Sequence, residues 1–197
     1  MLYLKKKNVS LSPYVFFIME ILFLLLGIAL LLFLGTLWLI WQLFWQLFPL
    51  LHGGGPFVPS QPEIVKKMVQ LADLSPTDVV YDLGSGDGRI LLQAVQTAGC
   101  RGVGYELYPR LVKHAREETH RLNLGDRLRF EQASFWHAPL GNATVVFLYQ
   151  LSSTMRGLES KLLRELPSGA KVVSNAFIFP HWAPARTEGI LRLYLKP

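Results

Sequence analysis

The stretch Val79-Val80-Tyr81-Asp82-Leu83-Gly84-Ser85-Gly86-Asp87-Gly88-Arg89-Ile90 constrains this chain more than any other. An apolar run ends in an acid, three glycines follow at alternate positions, and a helical pattern begins. That order predicts a strand, a tight loop and a helix start. Glycine tolerates positive φ and leaves no Cβ between a ligand and the main chain. In open α/β sheets such a loop sits at the carboxyl end of a strand, where ligands bind. A P-loop is excluded, because no Lys followed by Ser or Thr closes the motif. The G-x-G-x-G spacing also departs from the G-x-G-x-x-G dinucleotide fingerprint, and Asp82 and Asp87 are poor neighbours for a pyrophosphate. The same acids suit a ligand that carries an amine or a sulfonium, which points to S-adenosylmethionine.

Arg101–Glu106 reads as a second strand that again ends in an acid, one β-α-β unit after Asp82. An acid there can accept ribose hydroxyls. Ser60 and Glu63 have capping-box spacing for a helix over Gln61–Leu74. Further helices are expected from the glycine loop to Ala98, from Pro109 onward, and over Thr154–Leu166. Further strands are expected at Leu128–Gln132, Thr144–Tyr149, Ala170–Ser174 and Gly189–Leu195. Alternating strands and helices predict a mostly parallel sheet covered on both faces. Six strands can be placed. A seventh requires Phe177–Phe179 to pair with the last strand; otherwise the sheet is trimmed at its carboxyl edge.

The amino-terminal quarter differs in kind. Residues 1–12 form a basic tail with Lys5, Lys6 and Lys7, and residues 13–51 hold Glu20 as their one charged side chain. A bilayer span needs about 20 apolar residues, so 13–51 is expected to enter a lipid bilayer. Trp38, Trp41 and Trp45 mark its interfacial end. A straight helix of that length overshoots a ~30 Å hydrocarbon core, so tilt, a break near Gly35 or a hairpin is expected. Residues 52–59, with Gly53-Gly54-Gly55-Pro56, read as a linker. Residues 60–197 then form the soluble domain. The chain's net charge of +6 is scattered, which argues against nucleic acid as a partner. The single cysteine, Cys100, excludes disulfides, and no metal-ligand spacing is present.

Four blocks in order carry a family resemblance: Pro56-Phe57-Val58-Pro59, Asp82-Leu83-Gly84-Ser85-Gly86-Asp87-Gly88-Arg89-Ile90, Gly104-Tyr105-Glu106-Leu107 with Pro109, and Phe177-Ile178-Phe179-Pro180-His181-Trp182-Ala183-Pro184. Together they resemble the membrane-anchored class I protein-lysine methyltransferases of the ADP/ATP carrier and the ATP synthase c subunit, and their prokaryotic relatives. The resemblance covers about residues 56–184. It implies a Rossmann-like class I sheet of six to seven strands, S-adenosylmethionine as cofactor, and lysine in a membrane protein as methyl acceptor. It also implies a membrane location, read here as a bacterial inner membrane with the domain facing the cytoplasm, the mitochondrial inner membrane being the alternative. Tyr108 stands where the family has Asn, Ser134 stands where it has Asp, and Tyr149-Gln150-Leu151-Ser152-Ser153 lacks the family's proline.

The site residues expected from the loop and the resemblance are these. Gly84, Ser85, Gly86 and Gly88 cradle the methionine part of the cofactor, Asp82 and Asp87 face its amino group, and Glu106 holds the ribose. Ser134 and Phe135 border the adenine. Phe57, Pro59 and Trp182 shape the substrate mouth, and His181 and Tyr149 are the candidate bases. Two other readings accompany lysine methylation: a methyltransferase for a lipid, quinone or other small molecule, and a cofactor-binding membrane scaffold without activity.

Overall fold

The computed structural model describes residues 12–51 and 55–197. Residues 1–11 of the basic tail and residues 52–54 of the linker lie outside the described residues. The chain divides into two compact units, Met1–Gln46 and Leu47–Pro197.

Helix α1, Pro13–Leu51, runs 39 residues without interruption. Neither a break at Gly35 nor a hairpin occurs, because no proline or polar pair interrupts the backbone ladder before Phe48. At 1.5 Å per residue the helix is roughly 58 Å long. Its described side chains are exposed or half-exposed, including Phe23, Leu26, Leu31 and Trp38. Pro13–Trp45 is long and apolar enough to cross a membrane, with a mean hydropathy of 2.9.

The domain is built on seven strands: β1 (Val79–Leu83), β2 (Arg101–Glu106), β3 (Leu128–Gln132), β4 (Val145–Leu148), β5 (Lys171–Asn175), β6 (Arg186–Glu188) and β7 (Leu191–Leu195). Their order in the sheet is β3-β2-β1-β4-β5-β7-β6. β1 to β5 pair in parallel, and β7 runs antiparallel to both β5 and β6. The seventh strand is Arg186–Glu188, so neither sequence expectation for the sheet edge holds. Phe177–Phe179 is irregular because Ala176 takes φ +65 and turns the chain out of β5.

Alternate residues of each central strand enter opposite cores, as a period of two requires. Val80, Val145 and Phe147 meet α2 (Pro62–Ala72), α3 (Arg89–Ala98) and α4 (Pro109–Arg121) through Met68, Leu91, Val95 and Val112. Tyr81, Val146 and Leu148 meet α5 (Ser152–Glu165) through Met155, Leu158 and Leu162. The strand order reverses between β1 and β4, where open α/β sheets bind ligands at the carboxyl ends of the strands. The capping box at α2 does not form. Gln61 is the N-cap residue, without a side-chain bond, and the Ser60 hydroxyl instead faces Asn175 Nδ2 at 3.3 Å.

Candidate active site

The glycine loop is tied to the neighbouring strand by its own backbone. The Gly84 and Ser85 N–H groups both donate to the Tyr105 carbonyl, at 2.9 and 3.0 Å. Gly84 has φ +92 and Gly86 φ +55, so the loop doubles back in a conformation that disfavours side chains. This turn aims the Gly86 N–H at Glu106 Oε2, 2.9 Å away.

Glu106 is buried at the end of β2, and its Oε1 accepts from the Leu107 and Tyr108 N–H groups at 2.8 and 2.9 Å. A carboxylate offers about four acceptor sites. Three are filled by main chain, which leaves one on Oε2 for a ligand hydroxyl. Burial pushes the Glu106 carboxyl up, against the pull of those three N–H groups. Asp82 is 2% exposed, and its Oδ2 has no partner. Burial, with the Glu106 and Asp87 carboxylates adding, pushes Asp82 up to about 8. A ligand ammonium against it would restore the ionised form.

Asp87 is engaged elsewhere. Arg89 grips it with Nε on Oδ1 at 2.9 Å and Nη2 on Oδ2 at 2.5 Å. Burial opposes ionisation of Asp87, but the hydrogen bonds and charge of Arg89 hold it below the usual carboxylate range. Arg89 Nη1 reaches on to the Ser60 carbonyl at 2.7 Å. The chain entering α2 is thus fastened to the glycine loop. The described end of the expected linker belongs to the site: the Phe57 ring lies against Gly86, and Gly55 sits beside Leu151.

These elements enclose a cavity of about 140 Å³ at the β1/β4 switch point. Phe57, Gly84, Ser85, Glu106, Phe135 and Tyr149 line it, as the sequence suggests. Asp82 and Gly86 are not on the wall, and Gly86 reaches it only through its N–H bond to Glu106. Several expected residues lie off the wall. Gly88 is the N-cap of α3, and a Cβ there would meet the Phe130 ring at 2.5 Å, so this glycine serves packing. Ser134 caps the 3-10 turn Phe135–His137 by accepting from the Trp136 N–H at 3.4 Å. Pro59 is exposed between two lining residues. Trp182 belongs to the core, stacked on Phe179 at 5.3 Å, with its Nε1–H on the Leu195 carbonyl at 3.2 Å. His181 is 74% exposed, with Nδ1 3.2 Å from Glu159 Oε2, and takes no place on the cavity wall.

The cavity also presents residues that sequence reasoning did not select: Ser60, Arg89, Tyr108, Gln150 and Phe177. Phe177 stacks on Tyr149, with ring centroids 6.0 Å apart. Gln150 is the least expected. It follows β4, and its Nε2 donates to the Leu83 carbonyl at 2.6 Å. The one available signal was its position, a polar residue two places beyond an apolar strand.

S-adenosylmethionine fits these residues. Its ribose would meet the free site on Glu106 and its adenine the Phe135 ring, while Asp82, which is not on the wall, would act on its ammonium through a water. The Ser85 hydroxyl, buried and without a partner, is a further group awaiting a ligand. Buried polar atoms without partners are uncommon and call for an explanation.

Comparison with known proteins agrees with this geometry. Residues 82–186 match the family described as the ANTKMT methyltransferase domain. A protein-lysine N-methyltransferase of Saccharolobus islandicus is 32% identical over 130 residues, covering 66% of this chain and 81% of that protein. The lysine N-methyltransferase of the ATP synthase c subunit from Rattus norvegicus is 37% identical over 134 residues, covering 68% of this chain and 61% of that enzyme's length. A crystal structure of an RNA methyltransferase from Salinibacter ruber, in complex with S-adenosyl-L-homocysteine, is 42% identical with a TM-score of 0.69. That match covers 71% of this chain and 94% of the Salinibacter chain. With a family match over more than half of the chain and a relative 32% identical and covered over four-fifths of its length, the chain belongs to the ANTKMT family of S-adenosylmethionine-dependent methyltransferases.

Proposed function

We propose that this protein methylates the ε-amine of lysine in a membrane protein, with α1 as its own membrane anchor. The observation that carries the reading is the cavity at the β1/β4 switch point. It joins Glu106 and the glycine loop to a mouth of Phe57, Tyr149 and Phe177. When bound, S-adenosylmethionine supplies a methyl group already activated on a positively charged sulfur. The chain's own task is alignment, and orientation alone can lower such a barrier by about 7–11 kcal/mol. Glu106 and the Gly84–Gly86 backbone hold the cofactor end. The aromatic mouth excludes water around the incoming amine. A lysine must be neutral to react, and at pH 7 that costs about 4–5 kcal/mol from its ordinary pKa. An apolar mouth beside a positive sulfur reduces that cost. The reading assigns no side chain as base: His181 lies off the wall, and the weak basicity of a tyrosine hydroxyl makes Tyr149 a wall rather than a base.

The membrane acceptor is supported by the apolar length of Pro13–Trp45 and by two relatives named for the ATP synthase c subunit and the adenine nucleotide translocase. An anchor confines enzyme and acceptor to one surface and raises their effective concentration. The domain is assigned to the side that holds S-adenosylmethionine, the cytoplasm of a bacterium or the matrix side of a mitochondrion. Intact-mass spectrometry of membrane proteins with and without the gene tests this, with steps of 14 Da on one protein as the expected result. Because the Salinibacter relative is named an RNA methyltransferase, RNA is the second acceptor class. Tritium transfer from labelled cofactor into total RNA, with none into membrane protein, would replace the first reading with the second.

A further inference from the structure

Four buried side-chain atoms of the domain lack a hydrogen-bond partner among the described residues: Asp82 Oδ2, Ser85 Oγ, Gln150 Oε1 and Asn175 Oδ1. Asn175 lies behind Ser60, away from the cavity wall. Ser85 can both donate and accept. Asp82 is the acceptor that suits the cofactor's ammonium. Gln150 Oε1 is then left over, and it can only accept.

Its placement is not accidental packing. The Leu83 carbonyl takes the Gln150 Nε2–H at 2.6 Å, which fixes the amide so that the oxygen is turned away from the main chain of β1. The amide lies against Gly84, where a side chain would collide with Nε2. Gln150 therefore ties the chain just after β4 to the end of its neighbour β1, and it lines the cavity together with Tyr149 and Phe177. A shielded carbonyl oxygen without a donor is costly, so a ligand that brings an N–H group is favoured there.

We propose that Gln150 is the positioning residue for the methyl acceptor: its Oε1 accepts an N–H from the acceptor amine and turns the nitrogen lone pair toward the methyl group. The assignment rests on the methyltransferase reading above. A neutral amide suits the task better than an acid. A carboxylate would favour the ammonium, which has no lone pair, whereas a carbonyl binds the amine without demanding its charge.

The test uses full-length protein in detergent and three adenosine ligands. One is S-adenosylhomocysteine. The other two are bisubstrate probes whose arm at the sulfonium position ends in a primary amine or in a methyl group. Wild type is expected to bind S-adenosylhomocysteine and to favour the amine arm at least tenfold. Gln150→Leu is expected to abolish that preference to within twofold while S-adenosylhomocysteine affinity stays within threefold. Gln150→Glu is the second variant, should the leucine variant not fold. It is expected to retain S-adenosylhomocysteine binding and to move the pH–rate profile to higher pH, a shift that loss of packing alone does not produce. If wild type has no amine preference, or Gln150→Leu keeps it, the assignment is overturned and the methyltransferase reading survives. If Gln150→Leu weakens all three ligands in parallel, Gln150 serves the cofactor's own ammonium and the assignment is likewise overturned. If wild type fails to bind S-adenosylhomocysteine at all, the methyltransferase reading itself fails.

Discussion

Glu106 carries more of the site than its charge. It fixes three main-chain N–H groups, so replacing it removes the acceptor proposed for the ribose and releases the loop around Gly86 together. Glu106→Ala is expected to weaken S-adenosylhomocysteine binding by 100-fold or more, about 2.7 kcal/mol, read by calorimetry. Asp82 predicts a pH dependence. Its pKa near 8 in the fold lies far above its ordinary value of 3.8. Between those values the folded chain holds a proton that the unfolded chain has lost, so stability without ligand falls as pH rises from about 4 to 8. A bound ammonium favours ionised Asp82, so binding releases that proton. S-adenosylhomocysteine affinity is expected to rise between pH 6 and 7.5, by up to tenfold per unit. Asp82→Asn should flatten the profile. Gly86→Ala meets two obstacles, φ +55 and the Phe57 ring 2.5 Å from the new Cβ. It should lose at least tenfold in affinity. Phe57→Ala in the same chain should recover only part of that, because the backbone strain persists.

Between elements, the decisive link is Arg89. It sits in the first turn of α3 and joins Asp87 of the loop to the Ser60 carbonyl ahead of α2. The chain from Gly55 to Ser60 is held over the cavity by this link, by the Asn175–Ser60 hydrogen bond and by Phe57. Arg89→Met is expected to free that stretch, raising amide exchange at Val58 and Ser60 several-fold while the core strands stay protected. Unchanged exchange there would show that Phe57 alone is sufficient. Asp87 is held off the cavity wall for a reason at the same scale: the Arg89 guanidinium lies two residues away, and its planar fork fits both carboxylate oxygens. The Phe179-Pro180-His181-Trp182 segment differs likewise. The Trp182 ring closes the core on the α5 side with Phe179 and Tyr194, and Glu159 of α5 accepts the His181 N–H at 2.9 Å.

At the scale of the whole molecule, the division at Gln46 and Leu47 predicts separable roles. A chain beginning at Leu47 is expected to bind S-adenosylhomocysteine within threefold of the full protein and to leave the membrane fraction after cell lysis. The sequence by itself determined the elements whose code is local. Apolar runs that end in an acid marked β1 and β2, the alternation of patterns marked the parallel sheet, and unbroken hydropathy marked α1. The glycine spacing and its acids pointed to S-adenosylmethionine, the cofactor of the family, although Asp87 is held by Arg89 rather than turned to the cavity. Tertiary structure alone decided which side chains share the cavity. Gln150 and Phe177 come from segments distant in sequence from the glycine loop, and only the β1/β4 reversal brings them beside it. Trp182 and Ser134 moved from site to scaffold for the same reason. A residue type states what a side chain can do, but the neighbours it meets, fixed by strand order and long-range packing, select which of those things it does.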